Sequence, residues 1–145
     1  MARGYPDFFG FSVFPQYGPF TEEHGAPVDI LAGNTRDFFE LTAKGVIYDG
    51  YHRIYSCADP SNILINVTVD GDLIPSVSPD VLLRYNLTSE GDYLISLKEY
   101  NPELGEYIVA LRRGTTFSGT FKTTIINDSA GDITVISILQ WANLR

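Results

Sequence analysis

The clearest stretch of the chain is residues 63–74, where Ile63, Ile65, Val67 and Val69 alternate with Leu64, Asn66, Thr68 and Asp70. A period of two sends successive side chains to opposite faces, so this stretch predicts a half-buried strand. Asp70-Gly71 follows, the favoured central pair of a tight hairpin turn. Leu73-Ile74 begins a return strand that Pro75 is expected to stop, because proline cannot donate to a ladder. Short strands are expected at 28–32 and 36–41, split by Gly33-Asn34, and a longer one at 46–55 with a bulge at Gly50. Two pairs complete the pattern: 93–100 with 107–113 across the turn-rich 101–105, and 116–126 with 133–141 across 127–132. Ser78-Pro79-Asp80 ahead of Val81-Leu82-Leu83 predicts a short helical turn ending near Asn86. Serine caps, proline suits the first helical position, and aspartate complements the positive end of the dipole.

About eight strands with short polar turns and one short helical turn predict an all-β fold. The expected architecture is an antiparallel β-sandwich with jelly-roll-like connectivity. Residues 28–145 form this sandwich domain, and residues 1–27 stand apart as an extended N-terminal arm. Seven aromatics fall in the first twenty positions: Tyr5, Phe8, Phe9, Phe11, Phe14, Tyr17 and Phe20. Glycine at 4, 10, 18 and 25 and proline at 6, 15, 19 and 27 make the segment too broken for a normal strand or helix. Disordered tails are poor in aromatics, so the segment asks for burial. Burying seven rings and ordering about twenty residues are comparable terms, each on the order of tens of kcal/mol. Order in the arm therefore depends on what it touches, which points to a neighbouring subunit or to the chain's own sandwich.

The chain has 145 residues and a formal net charge of −8, from 18 Asp+Glu against 10 Lys+Arg. Such a charge repels phosphate backbones and anionic lipid, so no direct nucleic-acid or membrane partner is expected. A single cysteine, Cys57, excludes an intrachain disulfide framework. No signal-like segment and no membrane-length apolar run is visible, so the chain is expected to be made in a reducing cytoplasm. Three glycosylation-like triplets, at Asn66, Asn86 and Asn127, then read as chance matches.

Catalytic chemistry finds little to work with. His24 and His52 are the two histidines. A Cys57/His52 pair at odd separation on one strand would face opposite ways, which leaves a small core cysteine and a surface histidine. Asp70-Gly71-Asp72 clusters two carboxylates but lacks the remaining acidic positions of a calcium loop. Glu22-Glu23 and Glu103/Glu106 read as solvated loop charges. No enzymatic activity, cofactor or metal is expected. Tyr48, Tyr51, Tyr55, Tyr85, Tyr93, Tyr100 and Tyr107 could supply a stacking platform for a glycan, the alternative binding reading.

The stretches ARGYPDFFGFSVFPQYG, NVTVDGDLIP, LLRYN and ALRRGTTFSG resemble small virion structural proteins of tailed bacteriophages. The resemblance implies a capsid decoration, head-fibre or tail-associated component, located in the virion and forming symmetric homo-oligomers, trimers foremost. Its partners would be further copies of itself and the major capsid or other virion proteins. The arm would clamp neighbours through Tyr5, Phe8, Phe9, Phe11, Phe14, Tyr17 and Phe20, with Arg112 and Arg113 pairing carboxylates across an interface. The alternative is a glycan- or receptor-binding module of a tail or fibre.

Overall fold

The computed structural model describes residues 17–24, 27–89 and 93–144. Two antiparallel sheets pack face to face as a sandwich. The larger sheet holds β1 (Tyr17–His24), β2 (Val28–Ile30), β4 (Gly45–Tyr55), β7 (Ile95–Asn101), β8 (Glu106–Leu111), β9 (Thr116–Phe117) and β11 (Ile133–Leu144). Its order is β1-β11-β4-β8-β7, with β2 pairing β11 beyond β1 and β9 pairing β4 beyond β8. The smaller sheet, β3-β10-β5-β6, holds β3 (Thr35–Thr42), β5 (Ile63–Val69), β6 (Asp72–Val77) and β10 (Thr120–Asn127). The chain passes from sheet to sheet between β2 and β3, β3 and β4, β4 and β5, β6 and β7, β9 and β10, and β10 and β11, the wrapped connectivity of a jelly roll. Eleven strands are present among the described residues, rather than about eight.

The added strands have local causes. Tyr17–His24 is a strand despite Gly18 and Pro19, contrary to expectation. It is an edge strand on β11, and its register slips between Tyr17 and Phe20, where the proline lies. Pro75 does not stop β6, which runs to Val77 with a register shift between Ile65 and Val67. On an edge strand the missing donor costs no ladder bond. The expected strand 116–126 is two: β9 belongs to one sheet and β10 to the other. The break at Ser118-Gly119 is held by the Asp70 carboxylate, which accepts from the main-chain N–H of Ser118 (2.9 Å), Gly119 (2.6 Å) and Thr120 (3.1 Å). These donors pull the Asp70 pKa down to about 2.

The hairpin-turn and helix expectations hold, while the bulge expected at Gly50 moves. Asp70 (φ 53) and Gly71 (φ 86) form the two-residue hairpin turn with both residues left-handed, as a type I′ turn requires. Helix α1 (Pro79–Arg84) is capped by Ser78, whose hydroxyl accepts from Val81 N–H at 3.2 Å. Asn86 (φ 58) ends it, with Asn86 N–H donating to Leu83 O and Leu87 N–H to Leu82 O, a Schellman pattern. The bulge in β4 falls at Tyr48, since Gln140 pairs Asp49 and Trp141 pairs Ile47. Gly50 instead permits a close approach, since a Cβ there would stand 2.9 Å from Leu139 Cδ1 and 3.0 Å from Leu111 Cδ1.

The core lies between the sheets, built from Ile47, Ile54, Ile65, Phe121, Ile125 and Leu139 among others. Helix α1 links edge strands β6 and β7 and packs on β7, burying Pro79 and Leu82. Tyr100 O–H donates to Asp80 at 2.7 Å and ties it there. Among the described residues no helix is long and apolar enough to cross a membrane.

Candidate interaction surfaces

The sheets differ on their outer faces. On the smaller one, Asn66, Thr68, Lys122, Thr124 and Asp37 face outward. They bond to each other: Thr124 O–H donates to Asp37 at 2.8 Å, Lys122 pairs Asp37 at 3.8 Å, and Ser76 bonds Asn66. Beside this polar cluster, Ile126 and Leu64 pair on the same face, and Leu73 stands opposite Thr68, exposed. On the larger sheet, register aligns Ile138, Tyr51 and Ala110 in one row and Ile136, Arg53 and Ile108 in the next, with Tyr55 beyond. Apart from buried Ala110, these residues are partly exposed, and they form a contiguous apolar and aromatic surface. Arg53 sits at its centre, its guanidinium 5.2 Å from the Tyr55 ring and 3.9 Å from Glu106. Arg53 Nε is buried without a hydrogen-bond partner. Tyrosine and arginine are enriched at interface centres. The sequence carries a signal for this: β11 is apolar at both parities, Ile133-Val135-Leu139 inward and Ile136-Ile138 outward.

A second surface lies at the side of the sandwich where β3 and the β1–β2 edge are neighbours. A groove of about 290 Å³ runs there, lined by Val28, Phe38, Phe39, Val135 and Ser137. Phe39 has φ 52, and it and Glu40 together oppose Lys122 in the ladder. That kink puts consecutive rings on the inner side. Phe38 and Phe39 lie 5.1 Å and 5.3 Å from the His52 ring, the latter stacked.

His52 is fully buried, contrary to the surface position expected of it. The alternation of β4 turns it inward, where two hydroxyls satisfy it. Ser137 Oγ lies 2.5 Å from Nδ1 and Thr123 Oγ1 lies 2.9 Å from Nε2. Thr123 Oγ1 is 3.4 Å from Phe38 O, to which it donates, so Nε2–H donates to Thr123 and Nδ1 accepts from Ser137. Burial lowers the His52 pKa to about 3. A histidine held neutral this firmly lacks the basicity to activate Ser137, and it acts as a polar rivet between the sheets. Cys57 is also inward because Ser56 (φ 57) bends the chain, and burial pushes its thiol up to about 11. Both His52 nitrogens are already engaged by hydroxyls.

The other expected residues are dispersed. Tyr5, Phe8, Phe9, Phe11 and Phe14 lie outside the described residues. The backbones of Tyr17 and Phe20 pair Leu144 and Ala142 on β11. Arg112 and Arg113 follow β8, so β11 and β4 separate them from Tyr17 and Phe20. Arg113 pairs Asp49 of its own chain at 3.5 Å, and Arg112 is exposed. The tyrosines do not form one platform: Tyr107 is buried, Tyr100 bonds Asp80, Tyr85 is exposed beside α1, Tyr51 and Tyr55 share the outer face, and Tyr48 is exposed at the β4 bulge. Asp70 is committed to the 118–120 turn, and no cluster of three metal-ligating side chains occurs among the described residues. Asn127 donates both amide hydrogens internally and is fully buried. No protein-family model and no curated protein matches this chain, so the virion resemblance rests on its four sequence stretches alone.

Proposed function

We propose that this chain is a non-enzymatic structural subunit that acts by packing against other protein subunits. In the setting its resemblance implies, it is an accessory or decoration protein of a bacteriophage capsid, assembling as a symmetric oligomer with its N-terminal arm laid over neighbours. The observation that carries the reading is the outer face of the larger sheet. Ile136, Ile138, Tyr51 and Ile108 surround Arg53 there, while the centre of the opposite outer face is the bonded polar cluster of Asp37, Lys122, Thr124 and Asn66. An outer face that is apolar in a chain of net charge −8 calls for a protein partner.

The test is the native mass of the full chain beside Ile138→Asp and Tyr51→Glu variants, with co-sedimentation on capsid shells stripped of accessory proteins. The expected result is an oligomer that binds shells and variants that are folded but reduced in mass or binding. A monomer that ignores the shells overturns the reading. Tyr51 and Tyr55 on one face favour a second reading, glycan binding; saturable binding to host polysaccharide lost in Tyr55→Ala, with no shell binding, would establish it instead.

A further inference from the structure

The two sides of the sandwich are finished differently. Between β6 and β7, α1 fills the gap with Pro79 and Leu82. Between β3 and the β1–β2 edge no described element does so, and the groove remains. At about 290 Å³ it stands at the lower bound of small-ligand sites, so it takes a few side chains. Both walls are sheet edges, which offer unpaired main-chain groups to an added strand. Glu23, Asp37 and Glu40 stand around it against Arg36.

We propose that this groove is the seat of residues 8–14 of a second copy of the chain. The proposal rests on the assembly reading above and names the surface the arm grips. Residues 7–14, DFFGFSVF, are the proline-free run between Pro6 and Pro15. Laid as a strand, they send Phe9, Phe11 and Val13 to one face, three apolar groups for an apolar floor. Seven residues span roughly 23 Å, close to the length of the eight-residue β3. Charge agrees: within residues 1–16 only Arg3 and Asp7 are charged, so an acidic rim does not repel this segment as it does the rest of the chain. Chain direction selects the second copy. β1 enters opposite Leu144 at Tyr17 and reaches the groove only at Glu23, opposite Leu139. Glu23 lies six strand residues, roughly 20 Å, from Tyr17 along β1, so a chain's own residues 8–14 would have to double back over that distance to sit in its own groove.

The experiment places a photo-crosslinking benzoylphenylalanine at Phe11 of the full chain, mixes isotope-labelled and unlabelled protein, and maps adducts by mass spectrometry. The expected adducts join Phe11 to peptides holding Val28 or Phe38-Phe39, in mixed-isotope pairs. Adducts to the groove within single chains only would overturn the second copy in favour of self-capping. Adducts elsewhere on an oligomeric protein overturn the groove and leave assembly standing. A monomeric native mass overturns assembly, and this proposal with it. Phe11→Ser supplies an independent readout, an unchanged urea midpoint at concentrations where the chain is dissociated, with at least a tenfold weaker self-association; unchanged association refutes the seat.

Discussion

Acid should loosen this sandwich through His52 well above the pH at which carboxylates titrate. Burial holds the His52 pKa at about 3, against 6.5 for a free histidine. Between those values the unfolded chain binds a proton that the folded chain refuses, so stability rises with pH across the window. The His52 contribution is fully present above pH 6.5 and is lost as pH falls toward 3. At about 1.4 kcal/mol per unit, roughly 2 kcal/mol disappears between pH 7.5 and pH 5, and on the order of 4–5 kcal/mol by pH 3. Trp141, the single tryptophan, is 8% exposed beside Phe117 and reports unfolding by fluorescence. With a urea slope of roughly 2 kcal/mol/M, the midpoint should drop by about 1 M over that range. His52→Gln removes the titration. It should be less stable than wild type at pH 7.5, by about 1–3 kcal/mol, because the hydroxyls of Ser137 and Thr123 lose their partner. The two midpoints should then converge on acidification. His24 is present in both proteins and cancels. Parallel pH profiles for the two proteins would refute the reasoning.

Three further outcomes are expected. Gly50→Ala should cost about 1–3 kcal/mol by urea unfolding, because its Cβ would stand 2.9 Å from Leu139 Cδ1 and 3.2 Å from Ile138 O; a neutral result would show that the sheets yield. Asp70→Ala should lower the thermal midpoint at neutral pH, and the difference from wild type should vanish as pH falls from 3.8 through about 2, since the contribution of a depressed carboxylate is lost on protonation; amide exchange at Ser118 and Gly119 should speed up at once. Cys57 should resist a thiol reagent at pH 8 until urea unfolds the chain, its pKa being raised to about 11 by burial; prompt native labelling would contradict this.

Features whose causes are local were legible in the sequence. The Asp70-Gly71 turn needs two adjacent residues that accept positive φ, and α1 needs Ser78, Pro79 and Asn86 within nine positions. The strand periods of β5 and β10 follow from one buried face each. What was hidden depends on partners far along the chain. The β9–β10 break is set by a carboxylate 48 residues away, at Asp70. The fate of His52 is set by hydroxyls 71 and 85 residues away. Gly50 looks like a bulge former in sequence because nothing local says that Leu139 and Leu111 will crowd it. The apolar outer face was half legible: β11 advertises it, but only the β11–β4–β8 register brings Ile136, Arg53 and Ile108 into one row.

The outer face also sets a scale for the proposed assembly. Five strands about 4.8 Å apart, paired over roughly seven residues at 3.3 Å each, present on the order of 550 Å². A stable interface draws about 800 Å² from each partner. The face alone is therefore short of a standard contact. A strand of roughly seven residues added at the groove, burying Phe9 and Phe11 at about 150–250 Å² each, supplies the missing area. In this arrangement each contact is weak without the other: the sheet face brings copies together without fixing them, and the arm fixes only a copy already near. Removing the arm should then weaken association steeply while leaving a residual, salt-insensitive self-affinity that Ile138→Asp abolishes. An arm-deleted chain as tightly associated as wild type would assign the whole contact to the sheet. One with no residual affinity would assign it to the arm.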